Sequence, residues 1–347
     1  MNVMKNLFVA LLLLTGYTVN AQIEEINGGP VNVPTEGIID GVFIQEHIPT
    51  KRMIPYEYVR EADAIWSRRV WEYIDLREKI NHPLYYPLDE MQGGIWTKNS
   101  SRWSLWTVIR THVLNGDLTV FSDYNPVLMG LGAVDGDQLK YPVKPEPGLN
   151  YYTDSIFRNT LAYYLGKVGQ PGTEPLIDED PNSPNFGQNL IVKDEYGMDA
   201  FVYDPPDTTW WTSKDIVQYR LKEDWFLDKE RSVLDVRIIA IAPVIYNTEK
   251  DPNGRIQITG FENLFWLYFP HCRFVFNNYF VYNDKNDAQW MSFDDLFWKR
   301  RFNAVAYKES NTYDRNIESY RTGVDALFES ESIKNEIRNI EHDVWSF

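Results

Sequence analysis

A run of Val and Ile residues in the second half of the chain places the strongest limit on its fold. Residues Val233 to Tyr246 are dominated by these side chains, which favour an extended backbone. The turn-forming sequence Asp251-Pro252-Asn253-Gly254 follows, and Arg255 to Thr259 then alternates, with Ile256 and Ile258 on one side. The pattern predicts a β-hairpin.

Helical spacing predicts two helices in the first half of the chain. The first begins after Pro55 and ends at His82-Pro83. Its apolar positions are Val59, Ala62, Trp66, Val70 and Ile74. The second begins at about Arg102 with Ser100 or Ser101 as its cap, and Asn115-Gly116 ends it.

Further elements are predicted after residue 211. Thr212 to Asp215 has a capping-box pattern that predicts a helix through about Asp224, and Ser292 to Asp295 predicts a second such helix. Leu264–Phe269 and Arg273–Tyr282 are expected to be aromatic strands. C-terminal helical structure is predicted from Val324, Leu327, Ile333, Ile337, Ile340 and Val344. Helices and sequential strands in separate blocks favour an α+β fold over a wound βαβ sheet.

The N-terminal sequence predicts export from the cytoplasm. Lys5 precedes the apolar run Leu7 to Leu14, and Val19-Asn20-Ala21 forms a small-residue cleavage site, so residues 1–21 are expected to be a signal peptide cleaved between Ala21 and Gln22. The residue at the cleavage point is Gln22 and not a cysteine, so a lipid anchor is not expected. The apolar run is too short to span a bilayer, so direct membrane insertion is not expected either, and the predicted location is the periplasm.

The predicted mature chain divides into four parts. Residues 22–50 are rich in Gly and Pro and predict an extended arm, which is expected to dock on a neighbouring subunit. Residues 51–140 predict a mainly helical lobe, and residues 141–211, rich in Pro, Gly, Asp and Asn, predict a loop-rich connection. Residues 212–347 predict an α+β lobe.

Composition narrows the possible functions. The 50 acidic residues against 34 Lys and Arg give a net charge of -16, which disfavours nucleic acid and anionic membrane surfaces as partners. A single cysteine, Cys272, excludes an internal disulfide, a cysteine zinc cage and an iron-sulfur centre. Aromatic side chains make up 15% of the residues, more than a core needs, so some are expected at protein interfaces.

No catalytic, metal-binding or cofactor-binding pattern stands out, so the sequence predicts no enzyme activity and no cofactor. The five histidines are scattered, and Gly130 to Gly136 lacks the spacing of a phosphate-binding loop. Acid pairs are present at Asp178 and Asp180, at Glu223 and Asp224, and at Asp294 and Asp295. Paired acids near aromatic platforms leave open a secreted carbohydrate-binding module or glycosidase.

Tryptophan and arginine occur together in two segments, and a third contains the pair Trp210-Trp211; these residue types are typical of protein-binding hot spots. The candidate partner-interface residues are Trp66, Arg68, Arg69, Trp71, Trp210, Trp211, Trp298, Arg300 and Arg301. Packing in the core is the alternative for each tryptophan. A periplasmic chaperone that binds unfolded proteins through the same aromatic surface is a third possible function.

Three blocks of sequence resemble the gliding-motility family GldN, also called PorN. They are Glu61–Pro87, which contains Trp66-Ser67-Arg68-Arg69-Val70-Trp71, then Leu118–Asp123, and Ser292–Phe302, which contains Trp298-Lys299-Arg300-Arg301-Phe302. The resemblance extends over nearly the whole mature chain.

The resemblance implies a non-enzymatic subunit of the type IX secretion system. It implies that the chain self-associates in a ring with the outer-membrane lipoprotein GldK or PorK. It also implies contact with the periplasmic region of the motor protein GldM or PorM, and a periplasmic location held at the outer membrane through the lipoprotein.

Overall fold

The computed structural model describes residues 53–92, 94–124, 136–149, 152–169, 175–177, 188–189, 191–193, 199–201, 208–250, 255–283, 285–286 and 291–345. The predicted signal peptide, its cleavage site at Ala21 and Gln22, and the predicted arm at 22–50 lie outside these residues. Within the described part, no helix is both long and apolar enough to cross a bilayer.

The described elements combine helices with antiparallel strands, which confirms the α+β class. The helices are α1 His82–Tyr85, α2 Leu105–Asn115, α3 Ser155–Leu165, α4 Phe269–Phe276, α5 Phe293–Trp298 and α6 Val324–Trp345. The strands are β1 Ala64–Asp75, β2 Glu90–Gln92, β3 Ile95–Thr97, β4 Val120–Phe121, β5 Pro142–Val143, β6 Gly166–Val168, β7 Ile191–Lys193, β8 Asp199–Phe201, β9 Thr208–Trp210, β10 Ile216–Asp228, β11 Val233–Lys250, β12 Ile256–Asn263, β13 Trp266–Tyr268, β14 Phe280–Val281, β15 Met291–Ser292 and β16 Val305–Glu309.

One eight-stranded sheet organises the fold. Its order is β16-β1-β10-β11-β13-β4-β5, and β12 also pairs with β11. The predicted hairpin is therefore confirmed as β11 and β12, which pair antiparallel. Strand β1, from the first predicted lobe, pairs with β10 and β16 from the last one. The sheet thus joins segments on both sides of 141–211, and the predicted domain boundaries stay predictions.

The helix predicted after Pro55 is wrong, because strand β1 occupies its central part. The apolar residues Trp66, Val70 and Ile74 are four positions apart, a spacing that a strand of period two satisfies as well as a helix does. Aromatic and β-branched residues such as Trp71 and Tyr73 fill the positions between them and favour the strand.

Two further predictions are wrong for local reasons. The helix predicted from Thr212 is strand β10. The Thr212 amide donates to the Asp215 side chain as in a capping box, but the Thr212 hydroxyl also donates to that carboxylate, whereas in a cap it would accept from the Asp215 amide, and the bonds close only a turn. The strand predicted over Arg273–Tyr282 begins as the end of α4, and only Phe280–Val281 is extended. In α4 the buried residues Phe269, Cys272 and Phe276 follow helical spacing. The many aromatic residues of this segment favoured a strand in the prediction instead.

The remaining helices agree with their capping signals. Helix α2 ends at Gly116 in the left-handed conformation, but its cap is Ser104 and not Ser100 or Ser101. Ser292 opens α5 with a complete capping box, and α6 provides the predicted C-terminal helix. Helix α3, capped by Asp154, was missed in the Pro- and Gly-rich stretch.

Two apolar clusters lie on the same face of the sheet. The larger one includes Ile74 and Tyr219 together with residues of α2, α4 and α5. The smaller one joins Val70 to Ile333 and Ile337 of α6. Glu72 lies between Val70 and Ile74 on that face, and it is buried. The junction of the two clusters is therefore polar.

Candidate interaction site

Strand β1 distributes the first group of predicted interface residues over two faces of the sheet. Side chains alternate along a strand, so Trp66 and Arg68 share the face that α6 covers, while Arg69 and Trp71 lie on the opposite face. The helix predicted after Pro55 would have contained all four of these residues.

The arginines of β1 form ion pairs within the chain. Arg68 contacts Glu309 of β16 and Glu336 of α6, each at 3.0 Å. Arg69 forms two parallel hydrogen bonds to Asp224 of β10, at 2.6 and 2.7 Å. Bidentate pairs of this kind fix the geometry of both side chains. These guanidinium groups therefore connect β1 to its neighbours.

Trp71 is buried on the second face of the sheet. Its indole N–H donates to the Asp137 carboxylate, which also accepts from Lys222 at 3.0 Å. The Lys308 ammonium lies 4.7 Å from the Trp71 ring centroid. The segment around Asp137 thus covers this part of the sheet, and Trp71 packs inside the protein.

Arg300 lies at the polar junction of the two apolar clusters. It donates to Glu223 at 2.8 Å and to Glu72 at 3.1 Å, and both carboxylates are almost fully buried. Lys334 of α6 lies 3.7 Å from the second oxygen of Glu72. Burial raises the pKa of Glu223 to about 7, although the Arg300 guanidinium lowers it. We call Glu72, Glu223, Arg300 and Lys334 the buried ion network.

The backbone of Arg300 supports this arrangement. Its φ angle of 47° lies in the left-handed region, which residues other than glycine seldom adopt. A residue persists there when its surroundings hold it. Here the two carboxylates and the aromatic ring of Trp225, 5.0 Å away, hold the Arg300 side chain.

Trp298 forms part of an aromatic and guanidinium stack. Its ring lies 5.6 Å from that of Tyr56, and the Arg273 guanidinium is 4.3 Å from Tyr56 and 4.9 Å from Trp298. Arg273 is itself bound to Asp294 at 2.7 Å. One side of Trp298 is therefore used within the fold, while close to half of its surface remains exposed.

Trp210 and Trp211 are half-buried beside the larger cluster. The Trp211 carbonyl accepts from the Trp106 indole at 3.1 Å and from Arg110 at 3.3 Å. The Arg110 guanidinium lies 5.5 Å from the Trp210 ring centroid. These contacts fix the end of β9 against α2.

Arg301, the last of the predicted residues, is exposed and borders an open cleft of about 600 Å³. Lys79, His82, Arg102 and Lys285 also line this cleft, and none of the lining residues that the structure describes is Asp or Glu. We call it the basic cleft. Sequence reasoning missed these four residues because they come from three separate segments and form no local pattern.

The acid pairs considered for a glycosidase are divided between different roles. Glu223 and Asp224 are neighbours in β10, so their side chains point to opposite faces, towards Arg300 and Arg69 respectively. Asp294 binds Arg273, and Asp295 caps α5. Asp178 and Asp180 lie outside the described residues.

Cys272 lies within α4 and is fully buried. Burial raises the pKa of its thiol, which keeps the sulfur protonated and unreactive. In the portion of the chain that the structure covers, no three His, Cys, Asp or Glu side chains are grouped as metal ligands would be.

A family model for the gliding motility associated protein GldN matches residues 59–346. No curated protein matches the chain significantly. The match includes every strand of the eight-stranded sheet, the buried ion network and the basic cleft. The chain therefore belongs to the GldN family of gliding motility associated proteins.

Proposed function

We propose that this protein is a non-enzymatic structural subunit of the type IX protein secretion and gliding motility machinery. In this proposal it lies in the periplasm, forms a ring with an outer-membrane lipoprotein of the GldK or PorK type, and contacts the GldM or PorM motor protein. The family match over residues 59–346 carries the proposal.

Exposed apolar residues on separate elements support a role in assembly. Ile156 and Tyr163 are exposed on α3, and Leu327 and Phe328 are exposed on α6. Ile256 and Ile258 are exposed on β12, which pairs with β11 alone among the described strands. A subunit that touches several neighbours needs apolar contacts on more than one face.

The edge strand β12 gives the sharpest test. An exposed strand edge with apolar side chains promotes association unless something covers it. We expect the chain from residue 22, purified together with the lipoprotein, to form a complex with several copies of each protein in light scattering. Replacing Ile256 and Ile258 by serine should lower the apparent affinity for the lipoprotein about tenfold, because the complex loses two apolar side chains that it would bury.

The control replaces by serine Arg255, which directly precedes β12, and Gln257 within it, and it should assemble like the unmodified protein. Circular dichroism checks that all variants are folded. A monomer that forms no complex with the lipoprotein would contradict the proposed function. Normal assembly of the isoleucine variant would exclude β12 as a contact.

A further inference from the structure

We propose that the basic cleft binds an acidic segment of a partner protein, one in which Asp or Glu side chains flank an apolar residue. This inference deepens the proposed function and rests on it in one respect, namely that the partner is a protein. The cleft itself is defined by the described residues alone.

Among the residues that the structure describes, four cations of the cleft lack the carboxylate partners that other basic side chains have. Arg68, Arg69, Arg273 and Arg300 each contact a carboxylate at 3.1 Å or less. Within the described residues, Lys79, Arg102, Lys285 and Arg301 form no ion pair with a carboxylate. Arg102 instead stacks 4.7 Å from the Tyr282 ring centroid, and Arg301 contacts the Met291 sulfur at 3.6 Å.

A group of cations without carboxylate partners among the described residues contrasts with the overall acidic composition of the protein. Acidic residues outnumber Lys and Arg by 50 to 34, so a random surface region would contain carboxylates. Like charges held close together raise the energy of the free protein, and an anion that enters between them relieves that repulsion. The charge pattern therefore selects a negatively charged ligand.

The floor and walls of the cleft select a ligand with an apolar part. Met291 and Leu296 form a buried apolar floor, and Ile80, Tyr86 and Tyr282 are exposed at its sides. A bare phosphate ion has no group that would contact these side chains. A nucleic acid would be repelled by the net charge of -16 outside the cleft.

A peptide with carboxylates on both sides of an apolar residue satisfies both requirements. Arg102 and Arg301 present planar guanidinium groups that can bind a carboxylate through two hydrogen bonds, while Lys79 and Lys285 add charge at the rim. A volume of about 600 Å³ is in the range of sites that hold several side chains.

The test uses the chain from residue 22 and a fluorescein-labelled peptide of roughly ten residues in which Glu alternates with Leu and Phe. Fluorescence anisotropy should show binding that weakens when NaCl rises from about 0.05 to about 0.5 M. The same peptide with Gln in place of Glu should bind at least about tenfold more weakly. Changing Arg102 and Lys285 together to Glu should produce a similar loss.

The matched control changes Lys144 and Lys229 to Glu. Both are exposed and outside the cleft, and the change in net charge is the same, so binding should be unaffected. The proposal would be overturned if this control lost as much peptide affinity as the cleft variant does. It would also be overturned if the Glu and Gln peptides bound equally well, or if neither peptide bound. Tighter binding of an oligonucleotide or of inorganic phosphate would overturn it as well.

Assembly with the lipoprotein, measured on the same variants, separates this inference from the proposed function. A protein that assembles normally but does not bind the peptide refutes the cleft proposal alone. A protein that binds the peptide but assembles with no lipoprotein refutes the proposed role and leaves the cleft as an acidic-peptide site.

Discussion

At the level of single residues, buried charges make the stability of this protein depend on pH. Asp123 accepts a 3.3 Å hydrogen bond from Asn263, but its second oxygen is buried without a hydrogen-bond partner among the described residues. Burial raises the pKa of Asp123 from 3.8 to about 7, with the Asn263 hydrogen bond acting in the opposite direction. The charged form of Asp123 is therefore unfavourable in the folded protein.

The sign of the pH effect follows from this raised pKa. Between about pH 4 and 7 the folded protein holds a proton that the unfolded chain releases, so stability decreases as the pH rises through this range. Asp123→Asn should remove this dependence. We expect the wild type to lose about 1–2 kcal/mol relative to the variant between pH 5.5 and 8, measured by urea unfolding.

The control for this variant is Glu61→Gln, which removes one negative charge at an exposed position. Its unfolding free energy should follow that of the wild type across the same pH range. If the unfolding free energies of Asp123→Asn and wild type change with pH in parallel, the prediction is wrong, and the charged Asp123 carboxylate is stabilised in the folded protein.

The buried ion network gives a second residue-level prediction. Replacing Arg300 by Met leaves Glu72 and Glu223 buried beside each other, with Lys334 3.7 Å from Glu72 and the Trp225 indole N–H donating to Glu223 at 3.2 Å. Neither contact replaces the arginine, so the free energy of unfolding should fall by about 3–5 kcal/mol at pH 8. The loss should be smaller at pH 5.5, because Glu223 then takes up a proton. The left-handed backbone conformation is equally unfavourable for methionine and arginine. The difference in unfolding free energy between the two proteins therefore measures the effect of losing the Arg300 charge.

Arg321→Met is the matched control, since Arg321 is exposed and lies 3.9 Å from Glu329. Its effect should stay within about 0.5 kcal/mol, as for other surface substitutions. A similarly small effect of Arg300→Met would contradict the prediction and mean that Glu223 takes up a proton or reaches solvent when the arginine is absent.

At the level of elements, α6 is held to the sheet by few residues. Ile333 and Ile337 pack against Val70 and Ala306, and the Ser330 hydroxyl accepts a hydrogen bond from the Ala306 amide at 2.9 Å. Ile337→Ala should therefore reduce the unfolding free energy by about 2–4 kcal/mol, since it leaves a cavity in the smaller cluster.

Val324→Ala, at the exposed start of the same helix, is the control and should change stability by less than about 0.5 kcal/mol. Chemical denaturation at pH 7 measures both variants. If the two lose equal stability, α6 contributes through its helical backbone and not through its contact with the sheet.

The elements predicted correctly are those with local signals. The turn-forming sequence before Ile256, the left-handed Gly116 and the Ser292 capping box are signals that each extend over a few residues, so one stretch of sequence contains the whole signal. Strand β1 does not have such a signal. Its spacing of four fits helix and strand equally, and pairing with β10 and β16 decides between them.

At the level of the whole molecule, the candidate sites depend on contacts between distant segments. Arg300 and Trp298 were selected from sequence because of their residue types, but the carboxylates that bind Arg300 come from β1 and β10. The basic cleft brings together residues from 79 to 301. Since each cation is ordinary in its own segment, only the fold shows that they converge.

The position of β1 inside the sheet also determines when the protein can finish folding. Val70 lies opposite Glu223 on one side and Glu309 on the other, so both neighbours of β1 are synthesised long after β1 itself, and β16 is the later of the two. Pairs so far apart in sequence form slowly. After β10 has paired with β1 and until residues 305–309 are available, a growing chain has a free hydrogen-bonding edge along β1, which must be kept from pairing with other chains.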